Sequence, residues 1–323
     1  MKSTIITSVR LSGSGHEHQK NNFKRVSKKL KQHSLSTLLL ITIAATSQTK
    51  TIPGFQHVES VASDGRYLYA ADIGKELNPA AKDGDGKIIK LDSKGQILER
   101  EFVKETLNAP KGLAINKEQL FVNDIDRLIV FDLNSGAKLY EIDFSKDTSF
   151  LNDIAVWDNT TLYVSATDKG KLYKVDLTTK SYTEIKTDQT IAGINGLFCH
   201  KKASRIYVNG FGSDSKPNGV VGYVNLKDNT FHQLTKMEGY YDGIFISKDV
   251  LYVSNWMAFE KKGVILAMGI YNTNGIKVVK INTGEPISGP ADFTIVNDQL
   301  IVPAMMSGEI HFIPLDSDLS LKL

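Results

Sequence analysis

One phrase recurs six times along this sequence: a polar residue, a short apolar run, a turn and a second apolar run. The copies read ESVASDGRYLYAADI from residue 59, KGLAINKEQLFVNDI from 111, NDIAVWDNTTLYVSAT from 152, NGLFCHKKASRIYVNGF from 195, DGIFISKDVLYVSNW from 242 and ADFTIVNDQLIVPAM from 291. Their starts lie 52, 41, 43, 47 and 49 residues apart, which is the span of a four-stranded blade. The sequence therefore predicts an all-β fold, a six-bladed β-propeller of four-stranded antiparallel blades.

The segments between the copies should supply the outer two strands of each blade. GKIIKLDS and QILEREFV, for example, alternate apolar and polar residues around a turn, as antiparallel hairpins do. Only three strands follow Ala291, so an early strand at about Lys50–Ile52 is expected to complete blade six. Three long connections, at residues 75–87, 210–219 and 257–275, should surround a pocket on one face of the ring.

The innermost strand of every propeller blade starts near the central axis, so the polar residues that open the six phrases should converge. These ring residues are Glu59, Lys111, Asn152, Asn195, Asp242 and Asp292. All except the lysine carry a side-chain oxygen, and none carries sulfur or imidazole. This set favours a hard divalent cation, and calcium fits best. The predicted metal ligands are Glu59, Asn152, Asn195, Asp242 and Asp292.

An alternative interpretation is that Asn, Asp and Gly open these strands because they make good turns. Turn chemistry would account for the glycines that follow Lys111, Asn195 and Asp242. It would not account for an oxygen-bearing side chain at the same repeat position in five copies.

The net charge of the chain is concentrated at its beginning. Eight of the 39 basic residues and one of the 36 acidic residues lie in residues 1–47, which leaves 31 basic and 35 acidic residues in the remainder. A mildly acidic body gives no reason to expect nucleic-acid binding. With 41% apolar residues, the chain can build one large domain over residues 48–323.

Residues 1–47 are predicted to be a signal peptide or a basic membrane-targeting segment. A cluster of basic residues precedes the apolar run Leu35–Ala45, and small and polar residues follow it. The run is too short to span a bilayer comfortably, so the mature chain should have no membrane span. Cleavage is expected near Ser47, with a periplasmic or secreted monomer as the product. A non-cleaved anchor and a disordered basic tail are the alternatives.

Other catalytic motifs are absent from the sequence. It contains no G-x-S-x-G elbow, no Walker loop and no H-E-x-x-H motif. Cys199 is the single cysteine, so no intramolecular disulfide can form, and it is expected to be a small core residue. The histidines after residue 47 have no metal-ligand spacing and are interpreted as structural.

Four short segments resemble the gluconolactonase and regucalcin (senescence marker protein) family of six-bladed propellers. They are HVESVA with Glu59, LNDIAV with Asn152, INGLF with Asn195 and YDGIF with Asp242, and the resemblance covers about residues 52–315. In that family a Glu, an Asn and an Asp bind a central divalent cation. The resemblance implies that Glu59, Asn195 and Asp242 are ligands and that Asn152 is a ligand or a substrate contact.

The activity implied by this resemblance is calcium-dependent hydrolysis of a small-molecule lactone or related ester. The predicted catalytic residues are Asp242 as base or nucleophile, Asn152 as substrate contact and Lys111 at the oxyanion. Lys111 departs from the family pattern, and it would either hold a substrate anion or neutralise Asp292. The alternative function is a non-catalytic NHL-type propeller that binds a protein or glycan through its rim loops. A phosphotriesterase-like activity would use the same metal.

Overall fold

The computed structural model describes residues 48–270, 276–316 and 319 of the chain. The predicted signal segment, residues 1–47, lies outside these residues. Across the described ranges, no helix has the length and apolar character that crossing a membrane would require.

The described residues form six antiparallel sheets of four strands each. In chain order the strands are β1 (Lys50–Pro53), β2 (Val58–Ser63), β3 (Tyr67–Asp72), β4 (Lys87–Asp92), β5 (Ile97–Glu99), β6 (Pro110–Asn116), β7 (Gln119–Asp124), β8 (Arg127–Asp132), β9 (Lys138–Asp143), β10 (Leu151–Val156), β11 (Thr161–Ala166), β12 (Lys171–Asp176), β13 (Ser181–Ile185), β14 (Ile194–His200), β15 (Arg205–Gly210), β16 (Val221–Asn225), β17 (Thr230–Gln233), β18 (Tyr241–Ser247), β19 (Val250–Asn255), β20 (Val264–Gly269), β21 (Val278–Lys280), β22 (Thr294–Val296), β23 (Gln299–Ala304) and β24 (Glu309–Pro314). Blades one to five use consecutive strands that begin at β2, β6, β10, β14 and β18, and blade six combines β22, β23 and β24 with β1. The predicted six-bladed propeller is confirmed.

The expected early strand closes the ring. Strand β1 pairs antiparallel with β24, with Lys50 opposite Phe312, and covers an edge that would otherwise expose unpaired backbone groups. Blades one and six also meet at the axis, where the Asp292 N–H donates to the Glu59 carbonyl at 3.0 Å and the Val61 N–H to the Asp292 carbonyl at 3.1 Å. The ring is thus closed at its outer and its inner edge.

The blades pack face to face because both faces of each sheet are apolar. On β7, Leu120 and Val122 belong to the cluster shared with blade one, whereas Phe121 belongs to the cluster shared with blade three. On β8, Ile129 and Val130 divide in the same way. Successive side chains of a strand point to opposite faces, so a strand between two blades needs apolar residues at consecutive positions.

The glycines that follow three of the ring residues lie inside strands. The interpretation of these glycines as turn residues is therefore wrong. A Cβ atom on Gly112 in β6 would lie 2.3 Å from the Asn152 carbonyl oxygen. On Gly196 in β14 it would lie 2.3 Å from the Asp242 carbonyl oxygen. Any side chain there would collide with the inner strand of the next blade, so these glycines let the inner strands approach closely around the axis.

The three long connections contribute to one cavity at the ring, as predicted. Leu77 and Pro79 come from the first connection, Phe211 from the second and Phe259 from the third. The third connection is shorter than predicted, because residues 264–269 form β20 of blade five. That segment is apolar and almost entirely buried, which suits a strand packed between two blades. Residues 271–275 lie outside the described residues.

Candidate metal centre and apolar pocket

The ring residues occupy one structural position. The second residue of each of the first five inner strands is a ring residue: Glu59, Lys111, Asn152, Asn195 and Asp242. Asp292 comes two residues before β22, where Ser60 of blade one bridges to it. All six are buried, with exposed fractions between 1% for Lys111 and 6% for Asp292. The structure brings all six predicted ring residues together.

A β-bulge at the start of each of these five inner strands frees the ring position from regular pairing. Pairing with the second strand is interrupted between Val58 and Ser60 in blade one and between Tyr241 and Ile244 in blade five, with equivalent interruptions in blades two to four. The ring residue lies within each interruption. Bulges re-aim side chains out of the strand alternation, which lets the ring side chains point to one centre.

Polar side chains of the second strands hold the next blade's inner strand at the height of the ring. The bonds run from Asn123 Nδ2 to the Asn152 carbonyl (2.8 Å), from Ser165 Oγ to the Asn195 carbonyl (2.6 Å), from Asn209 Nδ2 to the Gly243 carbonyl (3.0 Å) and from Ser254 Oγ to the Ala291 carbonyl (3.3 Å). All four donors are buried, so water does not compete for these bonds. They fix the backbone at or next to the ring residues of blades three to six.

The ring carries the donor set of a cation site. One carboxylate oxygen each of Glu59, Asp242 and Asp292 lies within 4.8 Å of the others. Five buried ring oxygens have no hydrogen-bond partner: Glu59 Oε2, Asn152 Oδ1, Asn195 Oδ1, Asp242 Oδ1 and Asp292 Oδ2. Buried polar atoms are normally paired, so five orphaned oxygens on the residues of one ring fit a group that binds them. These are the five residues predicted as ligands, and oxygen donors of this kind fit calcium.

The three ring carboxyls are held in an environment that opposes their negative charge. Burial raises the pKa of Glu59 well above its ordinary value, Asp242 raises it further, and Lys111 partly offsets the rise. Burial, followed by repulsion from Asp153, Glu59 and Asp242, raises the pKa of Asp292 in the same direction. Burial raises the pKa of Asp242 to about 7. A bound cation would remove this penalty because it favours the ionised carboxylates.

We expect the stabilisation given by calcium to grow as pH rises from about 5 to about 8. The pKa values of the three ring carboxyls are raised above their unfolded values of about 4, so the metal-free folded state binds more protons there and loses stability as pH rises. Calcium competes with those protons and should reverse the loss. The measurement is the difference in Tm between calcium-loaded and chelated protein across this range. Groups outside the ring act equally in both samples, and a difference that does not change with pH would contradict the prediction.

Lys111 is committed to the loops beside the ring. Its ammonium group donates to the Pro79 carbonyl at 2.7 Å and to the Ala109 carbonyl at 3.0 Å, and it lies 4.7 Å from the centre of the Phe150 ring. Burial lowers the pKa of Lys111 to about 8, against the opposing effect of Glu59. The positive charge of Lys111 therefore lowers the pKa of Glu59. The pKa of Asp292 is shifted by burial and by Asp153, Glu59 and Asp242 instead.

Two residues without an assigned role in the sequence interpretation shape the ring. The Trp256 Nε1–H donates to Asp242 Oδ2 at 2.9 Å, which leaves Oδ1 unpaired. Asp153 accepts hydrogen bonds from the N–H groups of Ile154 and Leu197, both at 2.6 Å, and burial raises its pKa to about 7. Two features of the sequence could have indicated these roles: Trp256 ends the blade-five phrase, and Asp153 is an acidic residue inside an apolar strand.

The ring forms the floor of a cavity of about 270 Å³, which we call the upper pocket. Its polar lining residues are Glu59, Lys111, Asn152, Thr167, Asn195 and Asp242. Its apolar lining residues are Leu77, Pro79, Phe150, Phe211, Trp256, Phe259 and Met305. No described histidine lines it. A few convergent polar groups beneath apolar walls are typical of small-molecule sites.

A second cavity of about 280 Å³, the lower pocket, is lined by inner-strand residues that follow the ring positions. Asp153 and Asp292 line this lower pocket, and neither lines the upper one. Asp292 is therefore the predicted ligand that approaches the ring from the lower side.

No protein-family model matches the sequence, and a search of curated proteins finds no match. Solved structures do match. Virginiamycin B lyase from Staphylococcus aureus is 14% identical with a TM-score of 0.56, and the match covers 83% of this chain and 99% of that chain. Kuenenia stuttgartiensis hydrazine synthase is 12% identical with a TM-score of 0.55, covering 81% and 77%. A chain of a nidogen/laminin complex is 12% identical with a TM-score of 0.53, covering 82% and 94%. At such low identity the likeness shows the fold alone, and that fold is the six-bladed β-propeller.

Proposed function

We propose that this protein is a calcium-dependent hydrolase of a lactone or a related ester, with its active site at the floor of the upper pocket. The observation that carries the proposal is the set of five buried, unpaired oxygens on ring residues beneath an apolar cavity, with one carboxylate oxygen each of Glu59, Asp242 and Asp292 within 4.8 Å of the others. The resemblance of the segments around Glu59, Asn152, Asn195 and Asp242 to gluconolactonases and regucalcin supports it. Calcium, or another divalent cation, would be held by these four residues together with Asp292.

A bound cation would supply a Lewis acid that polarises the substrate carbonyl. Asp242 is the ring carboxylate that lines the upper pocket with one oxygen fixed by Trp256 and the other unpaired. We assign it as the group that takes a proton from water while the water oxygen adds to the carbonyl carbon. The ester C–O bond then breaks, and the proton returns to the leaving alkoxide.

Lys111 and Asn152 are suited to hold the substrate oxygen. Lys111 uses two of its three N–H donors on the Pro79 and Ala109 carbonyls, and it lines the upper pocket. Its remaining donor can stabilise an oxyanion, which is a large contribution in a site sheltered from water. The Asn152 side chain lies at the same floor, where its unpaired Oδ1 would ligate the cation and its Nδ2 group is the donor suited to a substrate oxygen.

The test is a panel of lactones and aryl esters offered to the calcium-loaded protein. We expect turnover of at least one member, loss of turnover with chelator and its return with calcium. One structural neighbour is a lyase, so the products are identified by mass. Hydrolysis adds the mass of water to a lactone, whereas elimination leaves the mass unchanged. If no member of the panel shows calcium-dependent turnover, the hydrolase proposal is wrong.

The second candidate is a propeller that binds a ligand without turnover. The observation that favours it is the apolar wall of the upper pocket combined with the absence of a described histidine from its lining. Binding of panel members without product would support it.

We also propose that the protein is exported to the periplasm or secreted as a monomer, on the basis of the predicted segment 1–47. N-terminal sequencing of the exported protein tests the boundary expected near Ser47, and full-length protein found only in the cytosol would contradict export. Size-exclusion chromatography tests the oligomeric state.

A further inference from the structure

The walls of the upper pocket differ in chemistry from its floor. Phe211, Trp256 and Phe259 pack edge to face, with ring centres 5.3 Å apart for Phe211 and Trp256 and 5.8 Å apart for Trp256 and Phe259. Phe150 and Met305 also line the pocket. Such aromatic contacts hold the rings in a preferred geometry, so the wall is a preformed apolar surface.

Several of the polar groups that line the pocket are already engaged in hydrogen bonds. The Trp256 Nε1–H is bonded to Asp242, and the Thr167 hydroxyl donates to the Ile194 carbonyl at 2.7 Å. Along the wall, the backbone N–H groups of Phe211 and Trp256 are also bonded within the protein. The side chains of these walls offer a polyhydroxylated ligand no free donor or acceptor, and each buried unpaired hydroxyl would cost affinity.

The mouth of the pocket is also apolar. Leu77 is 43% exposed and Phe259 is 52% exposed, and both line the cavity. They come from the connections in blades one and five, so they flank the entrance from different sides. A ligand that covers large apolar side chains at the rim of a concave site removes them from water, and this burial favours binding.

From these observations we infer that the upper pocket takes a lactone or ester with an alkyl or aryl group and rejects sugar lactones. The carbonyl end lies toward the ring, and the apolar group lies against Phe211, Trp256 and Phe259. The inference names the substrate class of the active site proposed above, and it rests on that proposal for the hydrolytic step. The cavity volume of about 270 Å³ suits a small ligand, because it lies just below the range of about 300–1,000 Å³ for such sites.

Tryptophan fluorescence provides a direct binding assay. The chain has two tryptophans, and Trp157 lies outside the upper pocket, so a Trp157→Phe background leaves Trp256 as the reporter. The probes are δ-lactones with alkyl chains of increasing length, together with δ-gluconolactone, tested with calcium and with chelator. We expect the Kd to fall about fourfold for each added methylene until the pocket is filled, and gluconolactone to bind weakly.

Two matched variants test whether the apolar wall is responsible for the tighter binding of longer lactones. Phe259→Ala should weaken binding of the longest lactone by about five- to tenfold, because it removes part of the apolar wall. Leu139→Ala changes a side chain of similar exposure, 48%, on the outer strand β9 and should have no effect. Both positions are half exposed, so neither variant should prevent folding.

The outcomes separate this inference from the proposed function. Tighter binding of longer lactones without product would uphold the ligand class and overturn the hydrolase. Gluconolactone that binds or is hydrolysed at least as well as the alkyl lactones would overturn the ligand class and leave the hydrolase standing. Chain length without effect on the Kd, or no response of Trp256 to any probe, would also overturn the ligand class.

Discussion

Replacing Glu59 by glutamine should remove most of the stabilisation that calcium gives the folded protein, and should raise the stability of the metal-free protein. If the native protein binds calcium at the ring, calcium at about one hundred times its Kd should stabilise the folded state by about 2.7 kcal/mol. For a domain of this size we expect a Tm increase of roughly 5 °C or more. The variant lacks one of three buried carboxyls that repel one another. Without metal, burying its ring side chains should therefore cost less free energy on folding.

The measurement is the Tm of native and variant protein with chelator and with excess calcium at about pH 8, where the carboxyls are most ionised. The matched control is Glu118→Gln, which makes the same chemical change at an exposed position of a blade-two hairpin. The control should keep the full calcium response. An unchanged calcium response in Glu59→Gln, or no response in the native protein, would contradict a cation site at the ring.

Replacing Asp242 by asparagine should lower kcat by about a hundredfold or more, which is the range for loss of a general base. The change keeps the size of the side chain, but it removes the proton acceptor. Trp256 donates to one oxygen of this carboxyl, and the single oxygen of the amide can accept the same bond, which leaves the NH2 group facing the ring. The variant should therefore fold normally and bind calcium more weakly.

Turnover is measured at calcium concentrations that saturate each protein, as judged by calorimetry, so that lost catalysis is distinguished from lost metal. The control is Asp249→Asn, an exposed change in the hairpin between β18 and β19 of the same blade. Its kcat should match that of the native protein. If Asp242→Asn retained kcat within a few-fold at saturating calcium, another group would have to be the base.

Much of the architecture could be predicted because the repeated phrase is local. A polar opening, an apolar run, a turn and another apolar run specify a hairpin, and six copies at blade spacing predict the closed ring. Glu59, Asn195 and Asp242 occupy the same position within their copies of the phrase. They were therefore predicted to lie in one ring, because equivalent positions of a closed repeat must converge. The closing strand β1 could be predicted from the missing fourth strand of blade six, and the pairing of Lys50 with Phe312 confirms it.

Other features depend on contacts between residues that are distant in the chain. The glycine at position 112 looked like a turn residue, yet it is required where β6 passes the carbonyl of the next blade. The segment 264–269 looked like part of a connection, yet packing between blades makes it a strand. Hairpin patterns do not encode these effects, because they arise from how closely neighbouring blades approach.

The number of blades, the order of strands and the membership of the ring thus follow from the chain alone, since they depend on periodicity. The tertiary structure decided how the ring side chains and their neighbours are arranged. It placed Asp292 on the lower side, directed Lys111 to the Pro79 and Ala109 carbonyls and set Trp256 against Asp242. It also assembled the apolar wall from several blades. These arrangements depend on bulges, loop paths and packing between blades, and each of them brings together residues that the sequence keeps far apart.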